Sequence, residues 1–318
     1  MKILVKVKGS AYSGNYNHKG RKGQVGGSAA RTLSFSSPED CRQAIIKADT
    51  AATKKITTLE KQAKRLEEDL ADAYTAYDNL NATTDLMGRV FGESAETLRG
   101  MREKIDALRD QVSSINTKIS TLKAERNIRA HTLLKVENPA NIEYTDNSGS
   151  QSTFSQDRVD KGMDFVNSIL DYDVATAGTT QVIGGNLVFE KAMGTRAACM
   201  GNIIDLPASA ETSSVIHEVG HFLEDNNPVI HSKAVEFLER RTAGSTVVSL
   251  NQLTGRTSFT TGEVAKNGNF IDPYMGKQTG WATEIVSMGL EYLYKDPIAL
   301  AIKDPDYFDF MWNLLRGQ

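Results

Sequence analysis

The sequence predicts an α+β protein that combines a long helical hairpin with a compact C-terminal domain. Two long runs of apolar residues at alternating spacings of three and four predict the hairpin. Short strand-like runs followed by helices predict the domain. A hydrophobic content of 40% and a net charge of −3 in 318 residues are ordinary for a protein that folds in water, and this length allows two domains.

Residues 1–49 are predicted to form a basic, glycine-rich N-terminal arm. Seven Lys or Arg residues precede the first acidic residue, Glu39, and glycines at positions 9, 14, 20, 23, 26 and 27 interrupt any regular element. Such a segment is typical of an arm that is solvated or bound to a partner. We expect a protein partner rather than nucleic acid, because the segment lacks the aromatic–basic interleaving that supports base reading.

The start of the chain predicts neither a signal peptide nor a membrane span. Met1–Lys8 has too short an apolar run for a secretory signal and is more typical of a short strand. No run in the sequence approaches the length of a transmembrane helix. Cys41 and Cys199 form no C-x-x-C pattern, so we expect no disulfide framework.

Residues 50–138 are predicted to form an antiparallel coiled-coil hairpin. Apolar residues alternate three and four apart in two seams, at Ile56, Leu59, Ala63, Leu66, Leu70, Ala73, Tyr77 and Leu80, and at Leu98, Met101, Ile105, Leu108, Val112, Ile115, Ile119 and Leu122. The connection at 81–93 contains Gly88 and Gly92 and breaks the pattern. A short connection favours an antiparallel pair, with parallel self-association into an oligomer as the alternative. Such a hairpin is typical of a spacer, a docking arm or an assembly element.

Residues 139–155 are predicted to be a linker, because Asn, Ser, Gly and Asp are enriched there. The predicted domain at 156–318 follows. Beside the helices that carry its metal ligands, it has a helix at 160–172, strands at 179–190 and 201–206, a helix at 232–241 and a final aromatic segment at 307–315.

The most specific feature of the sequence is His217-Glu218-Val219-Gly220-His221, an H-E-x-x-H motif typical of zinc-dependent peptide hydrolysis. Residues four apart share one face of a helix, so His217 and His221 can offer ring nitrogens to one metal ion. Glu218 would lie beside the metal and accept a proton from bound water, whose pKa zinc lowers to roughly 7.

The flanking residues predict that this motif is helical. Thr212, Ser213 and Ser214 are N-cap candidates, and apolar residues recur at helical spacing through the motif. Gly220 costs about 1 kcal/mol of helix stability relative to Ala. A small residue at this position would let another segment approach the helix closely.

A catalytic zinc needs a third protein ligand and an open position for water. Trp281–Leu293 is predicted to be a second amphipathic helix, and Glu284 is its best ligand candidate. Glu291 lies on the same helix face and is the competitor, so either glutamate could be the ligand while the other orients a histidine.

Two further residues belong to the region of the predicted site. Tyr274 is a candidate hydrogen-bond donor to the oxyanion of a tetrahedral intermediate; the alternative is an aromatic side chain that packs the loop against the domain. His231 follows Pro228 and is expected to lie off the site, as a surface or capping histidine.

Glu284-x-x-Ser287 after the motif resembles the gluzincin peptidases, whose third metal ligand is a helical glutamate, although Met288 departs from the acidic residue that some of them carry. Residues 17–28 are similar to a glycine-rich segment of phage and prophage head-associated proteins, which often have Pro where this chain has Lys22. The chain from the motif to its end resembles the zincin-type metallopeptidase domain of phage and prophage virion proteins, on Phe270–Lys277, Ala282–Leu293 and Asp304–Phe310.

The resemblance implies a zincin-like fold for residues 156–318, with Zn²⁺ as cofactor and a peptide or protein as substrate. In zincins the strand near the motif helix is often an edge that pairs with extended substrate, which implies such an edge at 201–207. The substrate is left open among another virion protein, a host protein and a cell-wall peptide.

The sequence predicts a zinc metallopeptidase in a phage or phage-like particle, made in the bacterial host cytoplasm. The arm and hairpin would contact other particle proteins, and we expect a homo-oligomer within the assembly. One alternative is a structural protein whose metal only stabilises the C-terminal domain. Another is a delivered metalloprotease toxin with an N-terminal packaging signal.

Overall fold

The computed structural model describes residues 35–86, 92–148, 153–177, 187–257, 259–260, 262–279 and 282–318. These residues form a mixed α+β structure, as the sequence predicts. The predicted strand at Met1–Lys8 and the predicted arm as far as residue 34 lie outside the described residues.

Within these ranges the helices are α1 (Pro38–Leu86), α2 (Gly92–Leu134), α3 (Thr153–Ile169), α4 (Tyr172–Thr176), α5 (Thr212–Asn226), α6 (Pro228–Arg241), α7 (Leu250–Thr254), α8 (Ile285–Lys295), α9 (Pro297–Lys303) and α10 (Pro305–Leu314). The strands are β1 (Tyr144–Asp146), β2 (Leu187–Lys191), β3 (Ala198–Met200), β4 (Ile203–Leu206), β5 (Val247–Ser249), β6 (Val264–Lys266), β7 (Gln278–Thr279) and β8 (Ala282–Thr283). A 3₁₀ turn spans Pro273–Gly276.

Helices α1 and α2 run antiparallel, because residues early in α1 contact residues late in α2. Tyr77 accepts a hydrogen bond from Arg102 at 2.6 Å, and Glu60 pairs with Lys123 at 2.8 Å. A small apolar cluster lies between the two helices, formed by Ile56, Ala63, Ile115 and Ile119 with Leu59, Leu66 and Leu122. This cluster is separate from the main core of the protein, so the middle of the pair is held by its own contacts.

The open end of the helix pair is built into the C-terminal part of the chain. Cys41 and Leu134 belong to the main core, and Arg42 Nε donates to Asp309 of α10 at 2.9 Å. Helix α1 begins at Pro38, inside the predicted arm, because the Ser37 hydroxyl accepts the N–H of Asp40 and caps the helix. The predicted linker at 139–155 contains β1 and the first residues of α3.

The main sheet has the strand order β1-β2-β4-β3. Strands β1, β2 and β4 are parallel, and β3 pairs antiparallel with β4 at the edge. Helices α3 and α5 pack against each other, and α5 also lies against β3 and β4. The prediction of an edge strand at 201–207 is therefore wrong: Ile203–Leu206 lies between two strands, and the edge nearest α5 is β3.

Several predicted boundaries also differ. The helix predicted at 160–172 spans Thr153–Ile169, and the helix predicted at 232–241 begins at Pro228 because Asn227 caps it through its side-chain oxygen. The strand predicted at 179–190 is observed as Leu187–Lys191, and residues 178–186 lie outside the described part. The final aromatic segment is the helix α10.

Candidate metal centre

Helix α5 carries the H-E-x-x-H motif, as the sequence predicts. It begins at Thr212 after Glu211, whose side chain makes no capping hydrogen bond, so none of the predicted N-cap residues takes that role. The loop before the helix is held instead by the buried Arg158 of α3. Its guanidinium donates to the carbonyl oxygens of Ala208 and Ala210 at 3.0 and 2.6 Å.

Gly220 allows α5 and α8 to approach each other closely, as predicted for a small residue at this position. A Cβ atom on Gly220 would lie 2.4 Å from the Ser287 Cα and 2.7 Å from the Ser287 backbone nitrogen. Real Cβ atoms essentially never come this near to another heavy atom. The absence of a side chain at 220 therefore sets the distance between the helix with the histidines and the segment with the acidic residues.

His217, His221 and Glu284 converge on one point between these elements. One ligand atom from each lies within 4.8 Å of the others, so the group could hold a metal ion. A single oxygen, Glu284 Oε2, is 3.3 Å from Nε2 of both histidines. The two imidazole rings are tilted by 75° with their centroids 5.0 Å apart.

Glu284 precedes α8 rather than lying within it, which corrects the predicted helix at Trp281–Leu293. Residues 282–283 form β8 and pair with β7, so the helix begins at Ile285 with Glu284 in the N-cap position. Its carboxylate makes no capping hydrogen bond and faces the histidines instead. The Ser287 hydroxyl donates to the same oxygen, Glu284 Oε2, at 3.1 Å and helps to fix the carboxylate.

Glu291 lies on the far side of His217 from Glu284. Its Oε2 is 3.1 Å from His217 Nδ1, whereas Nε2 faces Glu284. Lys295 donates to the other Glu291 oxygen at 3.1 Å. This geometry separates the two glutamates that sequence spacing left equivalent: Glu284 faces both histidines, and Glu291 is placed to orient His217.

The carboxylates dominate the electrostatics of His217. Burial lowers its pKa, but hydrogen bonds with Glu284 and Glu291 outweigh burial and raise the pKa to about 10. Burial also acts on Glu284, yet its contacts with the two histidines hold the pKa of that carboxyl well below its ordinary value. The two carboxylates therefore favour a positive charge on His217.

Glu218 is 7% exposed and lines a cavity of about 600 Å³ together with His217. Burial raises the pKa of Glu218, the two neighbouring histidines oppose this rise, and Glu284 adds to it. The cavity is also lined by Arg196, Ala197, Ser214, Arg256, Phe259, Asp272, Tyr274, Met288, Glu291, Tyr292, Lys295 and Asp296. A buried carboxylate on the wall of an open cavity is suited to proton transfer.

Tyr274 lies in the 3₁₀ turn and lines the same cavity. Burial and the charge of Glu284 raise the pKa of its hydroxyl, and Lys277 opposes the rise. Lys277 Nζ donates to Tyr274 Oη at 3.0 Å and to Glu263 at 3.0 Å, and it lies 3.9 Å from Glu284 Oε1. Tyr274 also stacks on Phe259, with ring centroids 5.8 Å apart, and packs against the main core, so the loop-packing alternative fits as well and the oxyanion role stays a prediction.

Two contacts of the site were missed in the sequence. Glu224, three residues after His221, is fully buried and accepts hydrogen bonds from Thr283 N and Oγ1 at 2.9 and 3.0 Å. His231 is not in the group of His217, His221 and Glu284, as predicted, but it is largely buried with Nδ1 3.1 Å from the Glu224 carboxylate, so it is not the surface or capping histidine that was expected. The sequence did contain a signal for the Glu224 contact. Glu224 is a charged residue among the apolar positions of α5, next to Phe222 and Leu223, and a buried charge requires a partner.

Comparison with protein families, with curated proteins and with solved structures finds no match to this chain. Among the described helices, none combines the length and the apolar character needed to cross a membrane.

Proposed function

We propose that this protein is a zinc-dependent peptide-bond hydrolase. The observation that carries the proposal is the convergence of His217, His221 and Glu284 next to a cavity whose lining includes His217 and the buried Glu218. Two imidazoles and one carboxylate are a donor set typical of catalytic zinc sites, which keep a further position for water or substrate.

The residues present fit a metal ion, which would replace the direct contacts between Glu284 and the two histidine rings. Glu284 Oε2 already faces both histidine Nε2 atoms at 3.3 Å, and Glu291 engages the opposite nitrogen of His217. Metal-ligating histidines commonly give their other nitrogen to a carboxylate, which fixes the tautomer and the ring orientation. A bound zinc ion would supply Lewis acidity and a water molecule of lowered pKa.

The chain's own groups would then carry the proton transfers. Glu218 would accept a proton from the attacking water and deliver it to the leaving amine, because its raised pKa brings it nearer to neutrality. The Tyr274 hydroxyl, held by Lys277 at 3.0 Å, would donate to the developing oxyanion. The cavity, at about 600 Å³, is within the usual range for sites that bind small ligands or peptide segments.

The resemblance to phage and prophage virion proteins supports a role inside a particle. The helix pair α1 and α2 supports the same role, because its middle has a separate apolar cluster and, among the described residues, its open end is the part that joins the main core. A 49-residue helix is about 70 Å long, which is enough to reach a neighbouring protein. We therefore propose that α1 and α2 form a coiled-coil assembly element of a zincin-like enzyme.

Elemental analysis of the purified full chain beside His217→Ala tests the metal site. We expect about one zinc per parent chain and none in the variant. Hydrolysis of quenched fluorescent casein and of a mixed peptide library then tests the chemistry, with Glu218→Gln as the control. This variant should retain zinc and lose turnover.

Two results would contradict the proposal. Zinc in neither protein, after purification without chelators, would remove the metal site. Undiminished turnover by Glu218→Gln would remove Glu218 from the mechanism. Light scattering of the full chain addresses the assembly role, and a monomer at all concentrations would argue against self-association.

A further inference from the structure

Glu224 forms a fully buried polar contact near the candidate metal centre. Its side chain is 0% exposed and lies one turn beyond His221 on α5. Both carboxylate oxygens bind one residue 59 positions away, Thr283, through its backbone N–H at 2.9 Å and its hydroxyl at 3.0 Å. His231 adds a contact of 3.1 Å, so the carboxylate is satisfied from two further segments.

Thr283 is the residue immediately before Glu284, and it takes over the capping of α8. Its hydroxyl oxygen accepts the N–H of Ile285 at 3.2 Å, while the carboxylate of Glu284 makes no capping bond. Acidic and hydroxyl side chains at a helix start ordinarily bind the free N–H groups there. Because Thr283 does so here, Glu284 is free to face the histidines.

We propose that Glu224 is a positioning residue for the third metal ligand, acting through Thr283. Helix α5 then supplies both histidines and also the carboxylate that fixes where the glutamate segment begins. The inference rests on the proposed metal site. It assigns to α5 a role that the H-E-x-x-H motif alone does not contain.

The contact geometry favours positioning over a general contribution to folding. A buried carboxylate that only filled space could be replaced by an apolar residue of similar volume at little cost. Here the carboxylate binds the backbone and the hydroxyl of a single residue, which fixes both the position and the rotation of that residue. Groups that orient metal ligands in this way typically contribute a factor of about 10–100 to metal affinity.

The test is a competitive zinc titration of the full chain against a chromophoric chelator. Thr283→Ala and Glu224→Ala should each weaken zinc binding by at least about tenfold, while Thr283→Ser and Glu224→Gln should stay within about threefold of the parent. Serine keeps the hydroxyl of residue 283. Glutamine keeps the shape of residue 224, its oxygen can still accept the Thr283 N–H, and its amide group can donate to the Thr283 hydroxyl. Glu239→Ala, an exposed glutamate on α6, is the control and should bind as the parent does.

Two further readouts separate positioning from stability. The double variant Glu224→Ala/Thr283→Ala should lose less affinity than the sum of the two single losses, because the contact of the Thr283 hydroxyl with Glu224 is common to both changes. The visible spectrum of the cobalt(II)-substituted protein should change in the alanine variants and return in Thr283→Ser. Circular dichroism of the metal-free proteins identifies the variants that fold. If Glu224→Ala does not fold, the comparison of zinc affinities rests on Thr283→Ala and Thr283→Ser.

Folded alanine variants with parental zinc affinity and cobalt spectra would overturn the positioning role while leaving the metal site intact. Additive losses in the double variant would also overturn it. If the parent chain binds no more zinc than His217→Ala does, the proposed function and this inference are overturned together.

Discussion

Replacing Gly220 with alanine should separate α5 from α8 and weaken the metal centre. The new Cβ would lie 2.4 Å from the Ser287 Cα, whereas ordinary contacts begin at 3.4 Å. The obstructing atoms belong to the backbone, so a side-chain rotation cannot relieve the contact. The start of α8 must move by about 1 Å, and Glu284 is only three residues away.

This displacement should cost both stability and metal affinity. Overpacking of a well-packed interior costs about 1–3 kcal/mol, and a backbone contact belongs at the upper end of that range. The gain in helix propensity from glycine to alanine returns about 1 kcal/mol, so we expect a net loss of about 2 kcal/mol. Metal–ligand distances tolerate deviations of only about 0.2 Å, so zinc affinity should fall by at least about tenfold.

Gly100→Ala is the matched control, because a Cβ at that exposed helical position meets nothing within 4 Å. The same substitution there should stabilise the protein by about 0.5–1 kcal/mol. Urea unfolding of the metal-free proteins gives the free energies, and chelator competition gives the zinc affinities. A Gly220→Ala protein with parental stability and parental zinc affinity would refute the close approach.

Three other perturbations test separate parts of the structure. Glu284→Ala should lower zinc affinity by far more than Glu291→Ala, because only the former faces both histidines, and the reverse order in a chelator titration would exchange their roles. Lys277→Met should reduce the turnover number more than it changes zinc content, because it removes the ammonium group that lies 3.0 Å from the Tyr274 hydroxyl. Kinetics equal to those of the parent would show that this ammonium group has no part in the reaction. Replacement of residues 67–113 by a short glycine linker should leave zinc binding intact, whereas excision of 50–135 should unfold the protein because it exposes the core. Circular dichroism and elemental analysis of the two deletion proteins would show whether they differ.

The sequence was sufficient to predict the two histidines on one helix face, the adjacent Glu218 and the small residue at the close helix contact. The H-E-x-x-H spacing depends only on the geometry of one helix, so local periodicity determines it. The same rule could not decide which of Glu284 and Glu291 faces the histidines, because residues seven apart share a helix face wherever that helix lies relative to α5. Their order follows from how α8 is placed, and the contact of Gly220 with Ser287 sets that placement.

The sheet shows the same division between local and long-range information. Alternation predicted a strand near residues 201–206, but no local pattern states how many neighbours a strand has. β3 is only three residues long and is followed at once by the turn at 201–202, so it carries too little periodicity to be predicted. The sequence analysis therefore assigned the edge of the sheet to β4, whereas β3 forms that edge.

The domain boundary depends on contacts that composition cannot reveal. The polar segment at 139–155 is typical of a linker, yet Tyr144–Asp146 pairs with Leu187–Lys191 because polar residues can join a sheet through their backbones. His131 of α2 lies 2.7 Å from the carbonyl of Tyr294, one turn beyond Glu291 on α8. The pair α1 and α2 therefore packs directly against α8, the helix whose Glu291 contacts His217, and is joined to the rest of the protein by more than the segment at 139–155.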